Sequence, residues 1–184
     1  MDHNILAICF DFGDTLVDES TEIKDEHQVT QQAELIPGAA EVLQALKARG
    51  YPLAIVSNGP VGNVYNVLSQ ESLLELFDAL AISEALGVEK PAAGIFVHAL
   101  DHLSISREDY GRTVMVGNHL EADVLGANRL GMISVWLDWA PRYPKTVSDN
   151  GAVPRHTIKE PLELLPLIDR LEDDSGAFRT KEEV

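Results

Sequence analysis

The chain has little of several things, and each shortage removes a class of function. It has one cysteine, Cys9, in 184 residues, so no disulfide can form within it and nothing points to an oxidising compartment. No apolar run approaches the roughly 20 residues of a membrane helix. Met1-Asp2-His3-Asn4 places no basic region ahead of an apolar segment, so a cytoplasmic protein is expected. Positive charge is scarce as well: 14 Lys and Arg against 30 Asp and Glu leave a net charge of −16. That balance disfavours nucleic acids and anionic membranes as partners. An anionic substrate would need locally concentrated positive charge or a metal. With no internal repeat and no low-complexity segment, a chain of this length is most simply one core domain, expected over residues 1–171, with a charged, flexible tail at 172–184.

What is present is a recurring pattern. Ile5 to Phe10 is an unbroken apolar run that gives way to Asp11-Phe12-Gly13-Asp14. This is how a strand covered on both faces ends in polar chemistry. The pattern returns at Pro52–Val56, followed by Ser57-Asn58-Gly59, and at Thr113–Val116, followed by Gly117-Asn118. Further strands are expected at 79–82, 132–137 and, at an edge, 155–158. Helical apolar spacing marks 39–49, 62–76, the stretch after Lys90-Pro91, 118–130 and 162–171. The polar, acidic stretch from Val17 to Leu35 reads as a loop or short flap, with a weak helix over 28–34. Strands alternating with helices predict an α/β fold with a doubly wound parallel sheet and helices on both faces. In such a sheet the polar strand ends share one edge, where ligands bind.

Taken singly, these groups have ordinary readings: a loop acid at Asp11, a turn at Ser57-Asn58-Gly59, a surface Lys90, an N-cap at Asn118. Together, Asp11-Phe12-Gly13-Asp14-Thr15, Val56-Ser57-Asn58-Gly59, Glu89-Lys90-Pro91 and Gly117-Asn118-His119-Leu120-Glu121-Ala122-Asp123 resemble, in order, the four motifs of the haloacid dehalogenase-like hydrolases. The resemblance spans residues 5 to 171. It implies a Rossmann-like core and a Mg²⁺-dependent phosphatase in which Asp11 is the nucleophile and forms an aspartyl-phosphate. Ser57, with backbone N–H groups near Asn58 and Gly59, would hold the phosphoryl oxygens. Lys90 would offset the charge on Asp11 and on the transferring group. Asp11, the Gly13 carbonyl, Asn118 and Asp123 would hold Mg²⁺.

Two positions depart from that pattern. Gly13 stands where the family's phosphatases carry a second Asp that protonates the leaving group, and Asp14 follows one place later. Asp14 then either replaces that acid or caps its own turn. Asn118 stands where the fourth motif often has an Asp, which lowers the charge offered to a metal. A catalytically weak or inactive phosphate-binding or protein-interaction module is therefore the alternative, with hydrolysis at carbon a third reading. The stretch between Asp14 and Pro37 is too short for a helical cap domain, so the site is expected to be open. That suits a large phosphorylated substrate or closure by a neighbouring subunit in a homo-oligomer. Cys9 reads as core. Trp139, Arg142 and Tyr143 read as a packed loop, with a substrate rim as the alternative, and the acids of 18–26 as solvated charge.

Overall fold

The computed structural model describes residues 3–147 and 149–174. Its centre is a six-stranded sheet built from β1 (Ala7–Phe10), β4 (Leu53–Ser57), β5 (Ala79–Ile82), β6 (Thr113–Gly117), β7 (Ile133–Leu137) and β8 (His156–Ile158). The spatial order is β5-β4-β1-β6-β7-β8, and every neighbouring pair is parallel. Strand order therefore reverses beside β1, which is where a doubly wound sheet opens a crevice. The helices are α1 (Ala39–Ala48), α2 (Val61–Gln70), α3 (Ser83–Leu86), α4 (Ala93–His102), α5 (Leu125–Leu130) and α6 (Leu164–Asp173).

Alternation along β1 sends side chains to two separate cores. Ile8 and Phe10 join a cluster with Val42, Leu43 and Leu46 of α1, Val64 and Leu68 of α2, and Leu167 and Ile168 of α6. Cys9 points the other way, into a layer with Ile95, Phe96, Ala99 and Leu100 of α4 and Ala127 of α5. All four residues of β1 are buried, so the strand needs apolar residues on both faces, which is why it reads as an unbroken run.

Two expectations need correction. Residues 28–34 are not helical: β2 (Ile23–Lys24) and β3 (Thr30–Gln32) form an antiparallel hairpin. Side chains of α2 supply the reason. Thr30 N–H donates to Asn63 Oδ1 at 2.9 Å, Asn66 Nδ2 donates to the Thr30 carbonyl at 2.9 Å, and Gln70 Nε2 donates to the Gln31 carbonyl at 2.7 Å. These bonds satisfy the extended backbone better than a short, weakly apolar helix could. Residues 118–130 are not one regular helix either; a wide π-helical turn at Leu120–Val124 precedes α5. The last helix runs to Asp173, two residues beyond the expected domain end, and residues 175–184 of the expected tail lie outside the described residues. Among the described residues no helix is long and apolar enough to cross a membrane.

Candidate active site

The parallel register brings the ends of β1, β4 and β6 to one edge. Asp11 directly follows β1, and its N–H donates to the Val116 carbonyl of β6 at 2.9 Å, which fixes the backbone from which its carboxylate projects. Lys90 comes from the loop between α3 and α4. Asn58, just after β4, clamps that loop: Lys90 N–H donates to Asn58 Oδ1 at 2.8 Å and Asn58 Nδ2 donates back to the Lys90 carbonyl at 3.2 Å. So held, Lys90 Nζ donates to Asp11 Oδ1 at 2.5 Å and sits 2.7 Å from Asp123 Oδ1. The second contact is a charge pair by distance; Asp123 Oδ1 has no directed hydrogen bond.

Asp123 reaches Lys90 because of its wide turn. Its other oxygen, Oδ2, accepts the His119 N–H at 2.9 Å, and its carboxylate lies against the end of β6. A Cβ at position 117 would stand 2.3 Å from Asp123 Cγ, so this approach requires glycine there. Lys90, with a side chain only 3% exposed, thus faces two buried carboxylates. Burial pushes Asp11 up to about 6, against the pull of Lys90 and with a further push from Asp123. Burial would lower Lys90, but the two carboxylates outweigh it and hold the ammonium above its ordinary value. Cys9, one strand position from Phe10, is pushed up to about 12 by burial, which makes it an inert core thiol.

A second group of charges stands beside the first. Asp14 adopts a left-handed conformation, φ +47°, and its buried carboxylate turns to Arg142. Arg142 Nε donates to Asp14 Oδ2 at 2.6 Å, and the Glu19 N–H donates to Asp14 Oδ1 at 3.1 Å. Arg142 also lies 3.1 Å from Glu19 Oε2. Glu19 Oε1 occupies the space above Gly13: a Cβ at that position would be 1.9 Å from it. Burial first, then repulsion from Asp14 and, more weakly, Glu22 and Asp11, pushes Glu19 up to about 7 despite Arg142. The loop carrying Arg142 also packs Tyr143 against His119, ring centroids 4.3 Å apart and planes tilted by 48°, and walls a pocket of about 340 Å³ lined by Asp14, Asp18, Ser20, Trp139, Pro141 and Arg142.

The structure therefore brings Asp11, Lys90 and Asp123 together and buries Ser57 and Asn118 at the same edge. It spends the Asn58 side chain on the Lys90 backbone and the Gly59 N–H on Ser83 Oγ, at 2.9 Å. The loop of Trp139, Arg142 and Tyr143, expected to be plain packing, forms one wall of the edge. Glu19, expected to be solvated, lies over Gly13. Arg142 carried a signal, a cation after a strand end in an acidic chain, whereas Glu19 carried none. Among the described residues there is no cluster of three or more His, Cys, Asp or Glu able to hold a metal ion. The oxygen donors at the edge are instead two carboxylates, the Gly13 carbonyl and the Asn118 amide. Asn118 is buried with its backbone carbonyl accepting from Trp136 Nε1 at 2.9 Å, and its side-chain Nδ2 has no partner.

Residues 19–131 match the model of the haloacid dehalogenase-like hydrolases; that segment carries Ser57, Lys90, Asn118 and Asp123, and Asp11 precedes it. A glyceraldehyde 3-phosphate phosphatase of Methanopyrus kandleri is 31% identical over 138 residues, 75% of this chain and 58% of that protein. The pyrimidine 5′-nucleotidase YjjG of Escherichia coli is 32% identical over 133 residues, 72% of this chain and 56% of that protein. The chain thus spans little more than half the length of these curated relatives. In fold, it is similar to a crystallised phosphatase from Thermococcus onnurineus, with a TM-score of 0.73 at 19% identity, covering 89% of this chain and 98% of the other. With the matched segment covering more than half of its residues and the six-stranded sheet behind it, this chain belongs to the haloacid dehalogenase-like hydrolases.

Proposed function

We propose that the protein is a Mg²⁺-dependent phosphatase of organic phosphate monoesters, working through an aspartyl-phosphate on Asp11. The observation that carries the reading is Lys90, buried between Asp11 and Asp123 at the crevice of the sheet. A buried ammonium between two carboxylates adds little net stability, because desolvation consumes most of the pair energy, so its place at the crevice points to a role in chemistry. A phosphoryl group arriving at Asp11 would meet the Lys90 ammonium, but Lys90, Asp11 and Asp123 together carry −1 in a chain of net charge −16, so a divalent cation would have to supply the remaining positive charge.

Asp11 attacks phosphorus in line with the leaving oxygen, forming an acyl phosphate through an Asp11 carboxylate oxygen as the bond to the leaving group breaks. Lys90 offsets the charge that accumulates on the equatorial oxygens. Ser57, at the end of β4, donates its hydroxyl to one of them; the Gly59 N–H, already donating to Ser83 Oγ at 2.9 Å, would have to exchange that partner to join it. Water then attacks the phosphoenzyme and releases inorganic phosphate. The donor set suits a hard cation: Asp11, the Gly13 carbonyl, Asn118 and Asp123 would hold Mg²⁺, and the Asn118 amide, whose nitrogen has no partner, is left free to turn its oxygen inward. When bound, the ion supplies further neutralisation of the phosphoryl oxygens. With Asn118 in place of a carboxylate, its affinity is expected to be modest.

The names of the relatives, a triose phosphate phosphatase and a nucleotidase, support a phosphorylated metabolite as substrate. The shallow edge and the short hairpin also leave room for a larger phosphorylated partner. The test is phosphate release from a panel of sugar phosphates, nucleotides and an aryl phosphate, with and without Mg²⁺, comparing Asp11→Asn. Release that depends on Mg²⁺ and disappears in Asp11→Asn is expected. Binding of a phosphate mimic without turnover across the panel would instead favour a non-catalytic module.

A further inference from the structure

Transfer of a phosphoryl group to Asp11 leaves an oxygen that needs a proton, and attack by water on the phosphoenzyme produces a proton that needs a base. The groups nearest Asp11 in the chain do not supply either. Position 13 has no side chain. Asp14 has one oxygen on Arg142 Nε and the other on the Glu19 N–H, so both its oxygens are committed to holding the turn. Thr15 Oγ1 is 3.5 Å from Asp11 Oδ2 and is too weak an acid for the task. Lys90 is buried and charge-paired.

Glu19 fills the gap. The three atoms nearest a Cβ built on Gly13 are Glu19 Oε1 at 1.9 Å, Cδ at 2.8 Å and Cγ at 3.1 Å, and all belong to this one side chain. Its carboxylate therefore occupies the volume that a side chain two residues after Asp11 would fill, reached from the flap instead of from the strand end. It is close enough to Asp11 for the two charges to interact. It is partly open to solvent, with its side chain 30% exposed, as a group exchanging protons with water must be. Gly13 has a backbone conformation open to any residue, since it is absent from the positive-φ positions; Glu19 itself is what excludes a side chain there.

We propose that Glu19 is the proton donor and acceptor of this site, an inference that rests on the aspartyl-phosphate reading above. In the first step the Asp11 oxygen–phosphorus bond forms, the phosphorus–leaving oxygen bond breaks, and the Glu19 carboxyl proton passes to the leaving oxygen, giving the free alcohol. In the second, water attacks phosphorus, its proton passes to the Glu19 carboxylate, and the Asp11–phosphorus bond breaks. Inorganic phosphate leaves, and Asp11 and protonated Glu19 are restored. Arg142, in contact with both Glu19 and Asp14, positions the donor without touching the reacting atoms.

The leaving group separates this role from a structural one. A nitrophenolate departs without a proton at neutral pH, whereas an alkoxide does not. In Glu19→Gln, kcat/KM for glycerol phosphate should fall about 10²–10⁴-fold, and kcat/KM for p-nitrophenyl phosphate by less than about tenfold. The double variant Gly13→Asp with Glu19→Ala, in which the clash above position 13 is gone, should recover alkyl phosphate turnover well above that of Glu19→Ala. Equal losses on both esters, an unchanged Glu19→Gln, or a double variant no better than Glu19→Ala would each overturn the proposal. If Asp11→Asn is inactive while Glu19→Gln is unchanged, only the role of Glu19 fails. If the wild type releases no phosphate from either ester, or Asp11→Asn keeps full activity, the phosphatase reading fails with it.

Discussion

The edge of the sheet holds two clusters of the same composition, one cation facing two carboxylates, and they are built in opposite ways. Lys90 with Asp11 and Asp123 is assembled from strand ends and a clamped loop, and the lysine side chain is 3% exposed. Arg142 with Asp14 and Glu19 is assembled entirely from turns, and the arginine side chain is 41% exposed. Burial gives the first cluster strong, unscreened interactions and a high penalty for losing any member. In the second, Asp14 is as buried as the anchor, with a side chain 1% exposed, while Glu19 is 30% exposed; the contact between Arg142 and Glu19 is weak and salt-screened and leaves that carboxylate room to change its protonation. The same three charges thus make a fixed anchor in one place and an adjustable group in the other.

The largest effect that would break this comparison is at the anchor. Asp11→Asn keeps shape and burial but removes the nucleophile, and turnover should fall by at least about 10⁴-fold, measured as Mg²⁺-dependent phosphate release. A residual rate within tenfold of wild type would remove Asp11 from the reaction. Next, Lys90→Met leaves two carboxylates buried without a counter-charge. It should cost about 3–5 kcal/mol of stability, read from the denaturant midpoint. A loss no greater than that of an exposed lysine would mean that water screens the pair.

Smaller effects sharpen the other side. Arg142→Met leaves the buried Asp14 carboxylate without its 2.6 Å donor and should cost about 1–3 kcal/mol, of which only the share from the more exposed Glu19 contact should shrink in high salt. The smallest effect concerns pH. Glu19 stands at about 7 in the fold against an ordinary value of 4.5, so the folded state holds its proton more tightly than the unfolded chain does. The stability that this contributes is fully present below about pH 4.5 and is lost as pH rises through about 7. The thermal midpoint of Glu19→Gln should accordingly gain on wild type across that window. Parallel curves would place the Glu19 carboxylate in water.

Legibility divides along the same line. The buried cluster could be read from the sequence in part: Asp11 sits at the end of a strand that announces itself as an apolar run, whereas Lys90, on a loop, and Asp123, in a wide turn, are legible only through the motifs they belong to. Asp11, Ser57 and Asn118 follow such runs directly. The exposed cluster could not, because its members meet only through a left-handed turn at Asp14 and a long loop after β7. The same applies to the hairpin. Its strands are held by side chains of α2, a tertiary contact that no local periodicity records. The broken helix at 118–130 hid for a related reason: apolar spacing survives a wide turn, while the register that delivers Asp123 to Lys90 does not show in it.

Thr30 and Gln31, fastened to α2 through Asn63, Asn66 and Gln70, have a consequence for encounter rates. With the flap fastened to α2 at three points, substrate approach is expected to be governed mainly by diffusion through the field of the molecule. That field belongs to a chain of net charge −16, which repels a phosphate dianion until the last few ångströms. Added salt should therefore speed capture at low substrate concentration, the reverse of what is seen for enzymes that steer their ligands by attraction.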